Sequence, residues 1–227
     1  TGSGSAVPKD ILTNKDLAKM VNTSDEWITT RTGIKERHIA NSQDTTASLA
    51  TEASKQALEM AKLDPAEHEL NCLGTITPDM VFPSTACFVQ ANLGAENAWA
   101  FDLSAACSGF IYALSIAQQF IESKKHKNAL VIGTETLTKI TNFDDRSSCI
   151  LFGDGAGAVV LEKNTEGKGI IYSSMASDGS NWQFLCCQAY GSKYPASKEL
   201  KNPDLKYMTI KGRDVYLILD DDKFANE

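Results

Sequence analysis

Histidine is scarce: the 227 residues hold only His38, His68 and His126. None stands at ligand spacing from a cysteine, so no metal site is expected. His38 follows the charged run Lys35-Glu36-Arg37, His68 lies in a polar loop and His126 in a lysine-rich turn, so all three read as surface residues. No apolar run reaches the roughly eighteen residues of a membrane span, and no basic start leads into an apolar stretch, so neither a membrane nor a secretion role is expected. Positive charge is also short. Lys and Arg total 22 against 29 Asp and Glu, a net charge of −7, which argues against nucleic acid as the main partner. A small acidic ligand stays possible, because two or three local arginines suffice to hold phosphates. The six cysteines form no Cys-x-x-Cys pair, and several sit inside apolar runs where a free thiol acts as a small hydrophobe. A reduced, cytoplasmic protein is the simplest reading.

Against these absences, 42% of the residues are apolar and 22% charged, the proportions of a globular chain long enough for a real core. Both ends read as cut: the chain opens on Thr1-Gly2-Ser3-Gly4 and closes after the acidic run Asp220-Asp221-Asp222.

The hydrophobic periodicity predicts alternating helices and strands. Residues 23–33 read as a short helix, with Thr23 and Glu26 at capping-box spacing and Gly33 as its stop. A longer helix is expected over 45–62, with Leu49, Ala53, Ala57, Leu58 and Ala61 on one face. A short strand begins over 73–76, and Pro83 is expected at the first position of a helix running to about Leu93. The stretch 98–103 reads as a strand, 107–123 as an amphipathic helix and 129–132 as the next strand. That βαβ unit implies parallel strands covered by helices, and hence an α/β fold with a buried mixed sheet. Val159-Val160-Leu161 continues as a strand, and 170–174 is expected to pair with it as a hairpin; a loop-rich stretch then runs to Met208.

The segment Asp102-Leu103-Ser104-Ala105-Ala106-Cys107-Ser108-Gly109-Phe110 carries the strongest chemical signal. Cys107 stands where a strand turns sharply into a helix, and the unpaired N–H groups and dipole of a helix start favour the thiolate, the reactive form. Most cysteines in apolar stretches are structural, but small flanking residues here leave room for a substrate carbonyl. Such a nucleophile needs a base and an oxyanion site, and the three histidines are poor candidates for the base. A second signal is Trp27 and Arg31, four apart on one helix face, which suit a nucleotide: the ring stacks on a base and the guanidinium pairs with phosphate. Thr23, Thr32 and Arg146 add further contacts in this reading. The alternative is an indole packed under an arginine stem. The glycine run 153–157 does not fit a dinucleotide fingerprint, because a β run follows it where that motif needs a helix. It reads instead as a tight turn packed near the nucleophile.

Taken together, Thr23-Ser24-Asp25-Glu26-Trp27-Ile28 with Arg31-Thr32-Gly33-Ile34, the Asp102–Phe110 segment, and Asp144-Asp145-Arg146-Ser147 followed by Leu151-Phe152-Gly153-Asp154-Gly155-Ala156-Gly157-Ala158 resemble the β-ketoacyl-[acyl carrier protein] synthase III family. The resemblance runs from Gly2 to about Gly179, is weaker through Lys211–Tyr216 and is lost after Leu217. It implies a thiolase-like fold of two similar α/β halves, with the first half essentially complete over 1–165 and a truncated start of the second over 166–227. It implies that an acyl-CoA, commonly acetyl-CoA, acylates Cys107. Malonyl-acyl carrier protein then loses carbon dioxide and its carbanion attacks the thioester, giving a β-ketoacyl-acyl carrier protein and starting a fatty-acid chain. Residues matching Trp27 and Arg146 sandwich the adenine, with Thr23, Arg31 and Thr32 along the coenzyme. Tyr216 stands near the pantetheine channel, where the family usually has phenylalanine. Phe82 matches a residue that reaches the acyl pocket of a partner subunit, so a homodimer is implied. No cofactor is implied, since acyl-CoA is a substrate.

The family's catalytic histidine and asparagine match no position in this sequence, and Leu217 replaces a basic residue that helps dock the carrier protein. A related CoA-dependent ketosynthase or acyltransferase of secondary metabolism, or a noncatalytic remnant, are the alternative readings. Losing part of one half would bare an apolar face, so the chain alone is expected to be poorly soluble or only partly folded. A calorimetric scan checks this: a single cooperative transition from a well-behaved dimer would contradict it.

Overall fold

The computed structural model describes residues 1–164 and 166–211. Contacts group the chain into two units. One takes residues 1–11, 38–137 and 153–175; the other takes 12–37, 138–152 and the stretch beginning at Ala176. In the second of these, 12–37 and 138–152 pack on each other from far apart in sequence. Arg37 Nε, for example, donates to Ile150 O at 3.1 Å across 113 positions.

The first unit is built on β1 (Gly2–Ala6), α3 (Thr46–Ala61), β4 (Leu70–Gly74), α4 (Thr85–Leu93), β5 (Trp99–Leu103), α5 (Gly109–Glu122), β6 (Asn128–Thr136) and β7 (Asp154–Glu162). Its sheet has the order β1-β7-β6-β4-β5. β4 runs parallel to both β5 and β6, while β7 is antiparallel to β6 and β1. The β5–α5–β6 unit is therefore the expected parallel crossover, stepping over β4. Side-chain alternation along the strands makes two cores, one on each face. Leu73, Leu130, Ile132, Ala158 and Val160 meet the Ala and Leu face of α3 and Val89 of α4. Leu70, Cys72, Ala129 and Val131 meet Ala113, Ala117 and Ile121 of α5. Burial raises the Cys72 thiol to about 12, so this cysteine is an inert hydrophobe.

The second unit holds α1 (Asn14–Met20), α2 (Asp25–Thr32), the one-turn α6 (Arg146–Cys149), and a small hairpin of β8 (Leu185–Cys187) and β9 (Met208–Ile210). β2 (Asp10–Thr13) and β3 (Glu36–Ile39) form a two-stranded ribbon where the chain enters and leaves this unit. Its core is Leu17, Ile28, Cys149 and Ile150, packed against Leu12, Trp27 and Phe143. A buried arginine organises it. Arg37 is 3% exposed; Nε and Nη2 donate to Ile150 O and Nη1 to Asn14 Oδ1. The Asn14 amide in turn donates to Asp25 Oδ1, Thr29 Oγ1 and Ile34 O, which fixes α2.

Several expectations are corrected. Helix α2 begins after Ser24, not Thr23: Ser24 Oγ accepts the Trp27 N–H at 3.1 Å, so Glu26 falls one position short of a capping box. Gly33, at φ 72°, does close it in the left-handed conformation that glycine tolerates. Pro83 is not the first residue of α4. The Asp102 carboxylate takes the N–H groups of Thr85 and Ala86 at 2.7 and 2.8 Å and sets the start at Thr85. The glycine run is not a turn: from Asp154 it forms the first half of β7, and 170–174 form no strand. Both edges of β7 are already taken, by β1 and β6, so no hairpin partner can add there; Ile171 is 98% exposed.

The histidines are not simple surface residues either. His38 Nδ1 lies 2.6 Å from Pro8 O. His126 accepts the Trp99 Nε1–H at 2.9 Å on Nε2 and sits 3.2 Å from Glu69 Oε2 on the other side. His68 is fully buried between Asn128 Oδ1 at 3.1 Å and Asn71 Oδ1 at 2.7 Å. Asn128 is fixed, since its Oδ1 accepts the Glu69 N–H and its Nδ2 donates to Glu67 O. His68 therefore carries its proton on Nδ1. Burial lowers its proton affinity, so Nε2 is an acceptor. Turning the Asn71 amide over supplies the donor Nε2 needs and uses Nδ2, which otherwise has no partner. The unfolded chain takes up this proton more readily than the folded one, so stability falls as pH drops below about 6.5. Urea melts between pH 7 and pH 5 should show that fall, and His68→Gln should flatten it.

Candidate active site

At the carboxyl end of the parallel strands the chain reverses from β5 into α5. Ala106 has φ 46°, a left-handed conformation that costs a residue with a Cβ on the order of 1 kcal/mol. It opens a single 3₁₀ turn, Ala106–Ser108, closed by the Ser108 N–H to Ala105 O at 3.0 Å. Regular helix begins only at Gly109, so Cys107 lies within the turn before α5 and not at its first residue. Its side chain is exposed, unlike those of Cys72 and Cys149. No side chain caps either the turn or α5.

The turn is seated by a backbone contact. A Cβ on Gly74, the last residue of β4, would stand 2.7 Å from the Gly109 carbonyl carbon. Beside it, the loop 75–84 is braced by three carboxylates that sequence reasoning did not single out. Glu135 accepts from Ile76 N–H at 2.8 Å, Thr77 N–H and Thr75 Oγ1 at 3.1 Å, and Thr77 Oγ1. Asp79 Oδ2 accepts from Ala47 N–H at 2.9 Å and Thr85 Oγ1 at 3.2 Å. Asp102 caps α4. Burial raises the proton affinity of both Glu135 and Asp102. The signal that could have found them is an acidic residue inside a Thr-rich or apolar stretch, where a charge is retained only with donors around it. The braced loop ends in an apolar tip, with Val81 88% and Phe82 79% exposed.

In the second unit the expected nucleotide residues come together around one indole. The guanidinium carbon of Arg31 lies 4.4 Å from the Trp27 ring centroid, and that of Arg146, brought from α6, lies at 4.8 Å. Arg146 Nη1 also donates to Asn22 O at 3.1 Å. Among the described residues neither guanidinium forms an ion pair. The Thr23 hydroxyl is buried without a partner among the described residues. Thr32 is committed to its own helix: Oγ1 donates to Ile28 O at 2.8 Å and accepts the Ile34 N–H at 3.1 Å. Tyr216 lies outside the described residues.

The Gly74–Gly109 contact yields a prediction. Gly74→Ala should push α5 away from β4, destabilise the unit by about 1–3 kcal/mol and change the rate at which iodoacetamide alkylates Cys107. Denaturation and peptide mass mapping of the alkylated thiols measure both effects.

A family model described as 3-oxoacyl-[acyl-carrier-protein (ACP)] synthase III matches residues 101–179, the span from β5 through the Cys107 turn to beyond β7. The β-ketoacyl-[acyl-carrier-protein] synthase III of Caldanaerobacter subterraneus subsp. tengcongensis is 56% identical over 215 residues, 95% of this chain and 65% of the relative. The crystal structure of the synthase III from Aquifex aeolicus superposes with a TM-score of 0.86 at 49% identity, covering 96% of this chain and 65% of that one. The priming β-ketosynthase of the R1128 polyketide biosynthetic pathway superposes with a TM-score of 0.84 at 35% identity, again over 96% and 65%. The chain therefore spans about 65% of the length of the curated relatives it matches. Over that span, in sequence and in its thiolase-like α/β fold, it belongs to the β-ketoacyl-[acyl-carrier-protein] synthase III family.

Proposed function

We propose that this chain carries the acyl-accepting part of a fatty-acid-initiating synthase, with Cys107 as the nucleophile. The observation that carries the reading is the exposed Cys107 thiol on a strand–turn–helix reversal whose N–H groups no side chain caps. The Cys107 thiolate attacks the carbonyl carbon of an acyl-CoA, commonly acetyl-CoA. The C–S bond to the coenzyme breaks, coenzyme A leaves as its thiolate, and the acyl group stays on Cys107. Uncapped N–H groups at the turn suit the oxyanion that forms on the way.

Trp27 takes the adenine base, and Arg31 and Arg146, free of carboxylate partners among the described residues, take its phosphates and stack with it. Thr23 offers its unpartnered hydroxyl. Thr32 and Tyr216 belong to the same set by family resemblance, Tyr216 beside the pantetheine arm. No cofactor beyond the acyl-CoA substrate enters this reading. Decarboxylative condensation with malonyl-acyl carrier protein is the activity proposed for the whole protein, in the cytoplasm. Phe82, exposed at the tip of a braced loop, suits a residue that enters a second copy, so the proposal includes a homodimer. A second reading is a priming ketosynthase of secondary metabolism, favoured by the 35% identity to the R1128 enzyme. The two readings differ in the acyl group accepted.

Intact-mass analysis after incubation with acetyl-CoA and with longer acyl-CoAs tests both. A single acetyl adduct on the chain, lost in Cys107→Ser, is the expected result. A preference for longer acyl groups favours the second reading. No adduct on protein shown to be folded means that Cys107 is not an acyl acceptor and that the chain is a noncatalytic relative.

A further inference from the structure

Arg146 follows two aspartates, Asp144 and Asp145, yet among the described residues its guanidinium pairs with neither. The Asp145 carboxylate is occupied elsewhere. Its Oδ1 accepts from the Ser147 N–H at 2.9 Å and from Ser147 Oγ at 2.7 Å. Its Oδ2 accepts from Ser148 Oγ at 3.0 Å and shares the single Ser147 hydroxyl proton at 2.8 Å. Asp145 is the N-cap of α6, with extended backbone angles of φ −101° and ψ 105°. From that position its side chain folds forward over the helix start, onto Ser147 and Ser148. Hydrogen bonds to an ionised acceptor are among the stronger ones, and both carboxylate oxygens are engaged.

We propose that Ser147 and Ser148 act as a clasp that holds the Asp145 carboxylate off Arg146, leaving the guanidinium over Trp27 with its charge available to an anionic nucleotide. Ser147 and Ser148 are positioning residues that act through Asp145. An N-cap needs only one acceptor for a backbone N–H, which Asn supplies as well as Asp. The two hydroxyls go beyond that requirement: they occupy the lone pairs that would otherwise attract the neighbouring cation. On a chain of net charge −7, a carboxylate released one residue from Arg146 would cancel the positive charge the site depends on. The choice of nucleotide as ligand rests on the proposed function; the clasp itself does not.

The test uses the full chain carrying Trp99→Phe and Trp182→Phe, which leaves Trp27 as the sole indole. In this background Ser147→Ala with Ser148→Ala should free Asp145 to draw Arg146 from the ring. The Trp27 emission should shift, and coenzyme A should bind more weakly, on the order of threefold at low salt and with no difference at high salt. Adding Asp145→Asn should restore both signals, because Asn keeps the cap and removes the competing charge. An unchanged Trp27 emission in the serine variant overturns the clasp. So does a change that Asp145→Asn fails to reverse, which would mean that the serines merely hold the turn. If the reference protein binds no coenzyme A, the nucleotide reading fails, while the Trp27 signal still decides the clasp.

Discussion

Between Leu103 and Gly109 the chain turns from a strand into a helix within five residues, and the sheet behind has to leave room for the reversal. Ala106 accepts a left-handed backbone to make the turn, and Gly74 has no side chain, so the end of β4 and the start of α5 meet backbone to backbone. The β5–α5–β6 crossover depends on that contact, and so does the exposure of Cys107. With a larger residue at position 74, α5 would stand off the sheet, and Ala113, Ala117 and Ile121 would lose their seat against Leu70, Cys72 and Val131.

The same end of the sheet shows how half-buried carboxylates can serve as structure. Glu135, Asp79 and Asp102 each replace a missing backbone partner: Glu135 ties down the loop after β4, and Asp79 and Asp102 hold the starts of α3 and α4. Partial burial raises the proton affinity of Glu135 and Asp102, yet these two have donors on both oxygens, which is the condition under which a carboxylate withdrawn from water is tolerated. The reward is rigidity under an otherwise exposed apolar tip. In the second unit the roles are reversed. Arg37 is buried among carbonyl and amide oxygens, while Arg31 and Arg146 lie over one indole with no counter-ion among the described residues. Keeping two cations unneutralised on an acidic chain requires that nearby carboxylates be engaged elsewhere, as Asp145 is by its serines and Asp25 by Asn14 and Thr29.

Much of this was legible in the sequence because it is set by local chemistry. The spacing of small and apolar residues gave α3 and α5, Gly33 marked the end of α2, and the run from Asp102 to Phe110 announced a strand, a sharp turn and a helix around one cysteine. The four-residue spacing of Trp27 and Arg31 was sufficient to place them on one face. Family motifs added Arg146, which no local pattern connects to Trp27.

Where local reasoning failed, a partner distant in sequence had decided the matter. Pro83 did not start a helix because Asp102, on another strand, caps α4 at Thr85. Residues 170–174 did not pair with β7 because β1 and β6 already occupy its edges, and the glycine run became a strand for the same reason. His68 looked like a surface residue, but Asn71 and Asn128 from two strands enclose it. Sequence alone determined which segments can be helix or strand and which residue types carry reactive or cationic groups, because those follow from neighbours one to four positions away. Only the tertiary structure decided which polar groups are satisfied, which edges are free and which arginine meets which ring, because those depend on atoms brought together across as many as 159 positions of chain.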